Sequence, residues 1–263
     1  KSKQETSRKK MIEKLNIEEI KPSSRRYPGI IFELEREAGD QILNIEKLAF
    51  KFDGDLLFDK VNLNLSKSDK VIFISKDTRA VNNFFDIISN RIKTFDGSFD
   101  WGITTRQEYI PLNNDYLFNK PQSLVDWLRN YAITEEEKEE VYLRGFLGKM
   151  LFTGDEALKN SNILSGGEKV RCMISKMMMS RSNVLIIDEP TNHLDLEAIT
   201  AFNNALINFK GTLLFSTTDH HFAQSLANRV IELTPKGIID RYLNFDEYMT
   251  DPKIKELRKN MYL

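Results

Sequence analysis

From residue 30 onward, short runs of wholly apolar residues alternate with stretches where apolar positions recur every three or four residues. Val71, Ile72, Phe73 and Ile74 make one such run. Val81, Phe84, Phe85 and Ile88 then fall at i, i+3, i+4 and i+7, one face of a helix. Further runs predict strands over 42–48, 61–65, 107–110, 184–187, 212–216, 229–233 and 238–240, and helices over 80–90, 195–208 and 219–227. Short apolar strands alternating with helices predict an α/β fold with a mostly parallel sheet covered on both faces. Residues 121–181 break the rhythm with helical patterns alone, which predicts an inserted helical subdomain. The run Met177, Met178, Met179 reads as core filling rather than a cofactor or metal box.

The 263 residues, 41% hydrophobic and 29% charged, describe an ordinary globular chain of one large domain or a domain with a subdomain. Thirty-eight basic against 39 acidic residues leave −1, so no global field draws in nucleic acid or anionic membrane. A single cysteine, Cys172, allows no internal disulfide and points to the cytoplasm. No apolar run approaches the ~18 residues of a membrane span. The first residue is Lys1, which reads as a piece of a longer protein. Residues 1–26 differ from the rest, with nine Lys or Arg against four Glu and a thin apolar stripe of Met11, Ile12 and Leu15. Two readings stand for this basic helix, broken near "KPSSRRYPG". It is a solvated helix on a domain edge, or an arm that meets nucleic acid phosphates through Arg8, Lys9, Lys10, Lys14, Arg25 and Arg26.

Two motifs carry chemistry. In "VLIIDEPTNHLD" (184–195) a buried strand ends on two carboxylates, at the end of the sheet where open α/β folds bind ligands. Asp188 is suited to hold Mg²⁺ and Glu189 to polarise an attacking water. In "LSGGEKVR" (164–171), Ser165, Gly166 and Gly167 open a helix whose N–H groups and dipole point outward, ready for an anion. The bland alternative is a capping box of Ser165 and Glu168.

Together, "LSGGE", "IIDEPTNHLD" and the helical insert resemble the nucleotide-binding domain of an ATP-binding cassette protein, over nearly all of residues 40–263. "EPTNHLD" resembles class F, whose members carry two nucleotide-binding domains on one chain and act at the ribosome. Residues 1–28 are similar to the end of the linker between those domains. The chain therefore looks like a second cassette (29–263, helical subdomain about 121–181), of the YbiT-like subgroup. The resemblance implies a P-loop NTPase fold with a small antiparallel β part, ATP and Mg²⁺ as cofactors, and ATP hydrolysis. It implies Ser165, Gly166, Gly167 and Glu168 as the signature, Asp188 and Glu189 as the Walker B pair, and Asp195 as the D-loop aspartate. Phe52 stands where an aromatic would stack on the base, or is a core phenylalanine. The implied partners are the first cassette of the same polypeptide and, through the basic linker, tRNA or ribosomal RNA. A transporter's ATPase subunit and a nucleotide-independent dimerisation domain remain alternatives.

The departures are as informative. A phosphate loop reads G-x-x-x-x-G-K-[ST], because glycines let the backbone wrap phosphates and lysine neutralises them. The matching positions here are Ser75, Ala80, Val81 and Asn82, and no glycine occurs from residue 55 to 96. Losing the lysine contact alone costs roughly 1.5–3 kcal/mol, about one to two decades of affinity. The metal-sensing glutamine aligns with Leu112, and the switch histidine with Thr218; His220 and His221, slightly later, read as surface residues. The expectation is a half-site that has lost its grip on phosphate beside a signature that keeps its own.

Overall fold

The computed structural model describes residues 26–263. The predicted basic helix, with Arg8, Lys9, Lys10, Lys14 and Arg25, lies outside the described residues; Arg26 is described and exposed. Among the described residues nine strands form two sheets. An antiparallel sheet has the order β2–β1–β4, built from β1 (Gln41–Phe52), β2 (Asp55–Ser66) and β4 (Asp96–Trp101). The larger sheet runs β5–β6–β7–β3–β8–β9, from β5 (Gln107–Ile110), β6 (Val184–Asp188), β7 (Thr212–Ser216), β3 (Lys70–Ile74), β8 (Arg229–Thr234) and β9 (Gly237–Arg241). Its first five strands are parallel and β9 pairs antiparallel to β8.

The apolar runs are continuous because both faces of this sheet are covered. Ile72, Leu185 and Ile187 point into one core cluster, and Val71, Phe73, Val184 and Ile186 point into another. The first cluster fills the space under the helical insert: α2 (Leu124–Arg129), α3 (Glu135–Lys138), α4 (Glu140–Lys149) and α5 (Gly166–Ser180). Met177, Met178 and Met179 are buried within it, as core filling requires. The second cluster lies between the two sheets and around α1 (Thr78–Ile88). Phe84 and Phe85 of this helix pack on Phe73, with ring centroids 4.9 and 5.3 Å apart. Burying one such side chain stabilises by about 1.5–3 kcal/mol, so the strand and helix around residues 71–88 are core structure in their own right.

Three features differ from the periodicity reading. The strand over 61–65 extends back to Asp55, and β4 was not marked by the pattern at all; its residues are only exposed or half-buried, so no apolar run advertises it. Helix α6 (Leu196–Asn208) follows β6, α7 (His220–Leu226) follows β7, and α8 (Phe245–Thr250) and α9 (Pro252–Tyr262) come after β9. The apolar pattern does not mark the last two, although Asn244 with Glu247 forms a capping box and Asp251 caps α9 with Pro252 in its first turn. The segment entering the domain is pinned by Gly29 N–H to the Lys149 carbonyl (2.8 Å) and Glu35 N–H to the Arg181 carbonyl (3.0 Å).

Candidate functional site

β3 delivers the chain into the loop 75–77 and α1, and β6 ends beside it on Asp188. A cleft of about 330 Å³ opens there, lined among others by Ser75, Val81, Asn82, Leu112, Glu189 and Thr218. Three positions aligned with lost functional residues, Val81, Leu112 and Thr218, thus meet at one cleft. Val81 is buried in the second core cluster, so the position of the lysine now serves packing. The left-handed residues of the chain fall elsewhere, at Asp53, Asn90, Arg181 and Glu189 among others, and the loop lacks the glycine-type turn that would wrap a phosphate.

The loop's own groups fill it. Asp77 is the N-cap of α1, and its Oδ1 accepts from Arg79 N–H at 3.0 Å. The Arg79 guanidinium turns back onto the same carboxylate (Nη2–Oδ2 2.7 Å) and onto Asp55 (2.9 Å). That guanidinium holds the Asp77 carboxyl below its ordinary value. Phe52 is 38% exposed, with Arg79 5.9 Å from its ring centroid, so it is a surface aromatic and not a core phenylalanine.

Asp188 is buried at the end of β6. Ser216 Oγ donates to its Oδ1 at 2.6 Å. The Asn82 amide, with nitrogen turned to the carboxylate so that both groups are satisfied, donates to Oδ1 at 3.2 Å and Oδ2 at 3.0 Å. Burial pushes the Asp188 carboxyl up to about 7; the Ser216 hydroxyl pulls against this, and the Glu189 and Asp86 charges add to it. Glu189 sits in the left-handed region, φ 48°, a conformation that a non-glycine residue keeps only when its surroundings impose it. Here its N–H donates to the Ser216 carbonyl (3.2 Å) and Oγ (3.1 Å), and its Oε2 accepts from Thr218 N–H (2.9 Å) and Oγ1 (3.3 Å). Burial raises the Glu189 carboxyl.

These residues do not fit a magnesium-bound nucleotide at this loop. The helix start carries a carboxylate, Asp188 is engaged by Ser216 and Asn82, and an apolar side chain stands at the lysine position. Among the described residues no group of three or more His, Cys, Asp or Glu is placed to hold a metal.

The signature is built differently. Ser165 caps α5, its Oγ accepting from Glu168 N–H (3.3 Å) while Glu168 Oε2 accepts from Ser165 N–H (2.8 Å), so the capping box is present. Lys159 pairs with Glu168 at 2.6 Å. Burial works to raise the Glu168 carboxyl; the Lys159 and Ser165 hydrogen bonds outweigh it and leave it below its ordinary value. Ser165 and Gly166 are exposed. A Cβ on Gly167 would run into the His193 carbonyl oxygen, and one on Gly166 would lie 3.2 Å from the His193 ring. The glycines therefore admit the turn Pro190–His193 against the signature, a packing role the pattern alone did not show. Asp195, exposed, caps α6 by accepting from Ala198 N–H at 2.8 Å.

A mostly parallel sheet with a helical insert, a buried strand ending on Asp188 and Glu189 and a helix opening on Ser165 and two glycines make up the α/β fold of an ATP-binding cassette. The sequence profile of the ABC transporter family matches residues 58–192, and the chain belongs to that family. YkpA of Bacillus subtilis strain 168, described as an uncharacterized ABC transporter ATP-binding protein, is 49% identical over all of this chain, which spans 48% of YkpA. The probable ATP-binding protein YbiT of Escherichia coli O157:H7 is 35% identical over 97% of the chain, which spans 48% of it. ABC transporter F family member 2 of Arabidopsis thaliana is 28% identical over 98% of the chain and 38% of its own length. The chain thus spans about half or less of these relatives. Among solved structures, a nucleotide-free cassette of an ABC transporter has a TM-score of 0.63 at 15% identity, over 83% of this chain and 98% of that one. A cassette in its ADP conformation gives 0.61 at 16% identity, over 84% and 99%. These two likenesses concern the fold alone.

Proposed function

We propose that this chain is the second cassette of a class F ATPase, preceded in residues 1–28 by the end of the interdomain linker, and that it completes a nucleotide site belonging to its neighbour. The observation that carries this reading is the contrast between two helix starts: α1 begins on its own ion-paired aspartate, and α5 begins on an exposed serine and glycine. ATP and Mg²⁺, held by the first cassette of the same polypeptide, supply a phosphoanhydride for attack by water. Ser165 and the first N–H groups of α5 hold the far end of that triphosphate and orient it. Asp195 and the turn 190–193 fix the angle at which α5 is presented. The chain by itself is poorly active or inactive. The basic residues of the linker contact tRNA or ribosomal RNA, and the protein is a cytoplasmic, ribosome-associated translation factor. In support, relatives include a protein carrying the class F name, and no helix among the described residues is long and apolar enough to cross a membrane.

Calorimetry of Mg-ATP into this chain is expected to give no micromolar binding. In the two-cassette protein, Ser165→Ala is expected to lower ATP turnover about a hundredfold, the scale for loss of one donor to a developing charge. Unchanged turnover would favour a second reading, a nucleotide-independent dimerisation domain, for which the filled loop is the supporting observation.

A further inference from the structure

Four backbone N–H groups in the loop before α1 and in its first turn are engaged within the chain. Lys76 N–H donates to Tyr262 Oη at 3.0 Å, Asp77 N–H to Ser75 Oγ at 3.3 Å, Arg79 N–H to Asp77 Oδ1 at 3.0 Å and Ala80 N–H to the Asp77 carbonyl at 3.0 Å. In a working phosphate loop, the N–H groups of such a segment are what an anion would draw on. Tyr262 comes from the far end of the chain, the last turn of α9. It is held there by a fully buried carboxylate: Tyr262 Oη donates to Glu232 Oε1 (2.8 Å), Tyr248 Oη to Oε2 (2.7 Å), and Arg258 Nε lies 2.7 Å from Oε2. Lys76 Nζ closes over the Tyr262 ring, 4.2 Å from its centroid. At the other side of the cleft, the Asn82 amide reaches both oxygens of Asp188. Asn82 occupies the Ser/Thr position of the pattern, whose hydroxyl would meet a metal that the carboxylate also meets. A direct hydrogen bond there spans the gap a cation would bridge.

We propose that this loop is self-liganded: the Asp77 carboxylate with Arg79 stands in for bound phosphate, the Asn82 amide stands in for the cation on Asp188, and α9 latches the arrangement through Tyr262. An anion arriving at α1 meets a carboxylate of its own sign and N–H donors already engaged. The inference rests on the hydrogen bonding of this chain and stands whether or not the neighbour is a class F cassette.

The test is thermal unfolding of this chain with and without millimolar inorganic pyrophosphate, for the wild type and for Asp77→Asn. The conservative change keeps an N-cap acceptor and removes the charge, leaving the Arg79 guanidinium to meet an external anion. Pyrophosphate is expected to leave the wild-type midpoint unchanged and to raise that of Asp77→Asn by a few degrees. Equal stabilisation of both proteins, or of neither, overturns the proposal. Tyr262→Phe provides a second arm that does not depend on the first variant folding. Exchange of the Lys76 amide hydrogen is expected to quicken at least tenfold relative to β3 amides, and unchanged protection overturns the latch.

Discussion

Two helix starts face the ligand side of the sheet, and each is capped by a short polar side chain accepting an N–H of the first turn. At α5 the cap is neutral Ser165, followed by two glycines, and the Glu168 carboxylate of its first turn is shared between the Ser165 N–H and Lys159. At α1 the cap is Asp77, ionised and chelated by Arg79. The same local device leaves one N-terminus open to an outside anion and closes the other. What differs is where the charge sits: at α1 the capping group is itself a carboxylate held by Arg79, whereas at α5 the capping group is a neutral hydroxyl and the carboxylate lies three residues on, paired with Lys159. The two sides also differ in their buried carboxylates. Asp188 is raised by burial with no cation against it, and Glu168 is lowered with Lys159 beside it.

The comparison breaks most sharply if the frame around α1 is dispensable. Phe84→Ala, which empties a fully buried site stacked on Phe73, is expected to destabilise the chain by about 3–5 kcal/mol in urea unfolding. A small loss would mean that the frame is kept for reasons other than folding. Next comes pH. The folded value of Asp188, about 7, lies above its ordinary 3.8, so its stabilising contribution is complete at low pH and is lost as pH rises through that window. Relative to Asp188→Asn, the wild type is expected to lose up to about 1.4 kcal/mol per pH unit between those values. Glu168 behaves oppositely: its contribution is present above its ordinary value of 4.5 and is lost as pH falls. Equal pH slopes for wild type and Asp188→Asn would remove the distinction between the two sides. Gly167→Ala drives a methyl into the His193 carbonyl and is expected to cost about 1–3 kcal/mol, with no comparable cost at Gly145, where a Cβ meets nothing within 4 Å. The smallest effect belongs to Val81→Lys. Restoring the lysine alone is expected to give no measurable Mg-ATP binding by calorimetry, because Asp77 and the engaged N–H groups remain; binding would show that the lysine was the one missing piece.

The legible parts of this molecule were those where one residue decides one thing. "VLII" reads as a strand because both faces of β6 are buried, so no polar position interrupts it. The face of α1 reads from Val81, Phe84, Phe85 and Ile88. The loss of glycine and lysine at 75–82 is visible letter by letter. β4 is not legible because none of its side chains is fully buried, and α8 and α9 are marked in the sequence by their caps rather than by an apolar run. Asp77 as a cap is legible as an aspartate just before an apolar helical face, but its pairing with Arg79 and Asp55 at one point of the fold is not.

By itself the sequence determined the α/β alternation, the helical insert, the capped helix start at Ser165 and the failure of the phosphate-loop pattern, since each follows from local periodicity or from the identity of single side chains. Only the tertiary structure decided what occupies the failed loop. Tyr262 meets Lys76 across 186 positions of chain and Asn82 meets Asp188 across the sheet, and such contacts depend on how the core packs rather than on any neighbour in the sequence. Folding brings these donors and acceptors within 3.2 Å of one another, and a buried carboxylate such as Asp188 is stable only when the protein supplies partners for its oxygens.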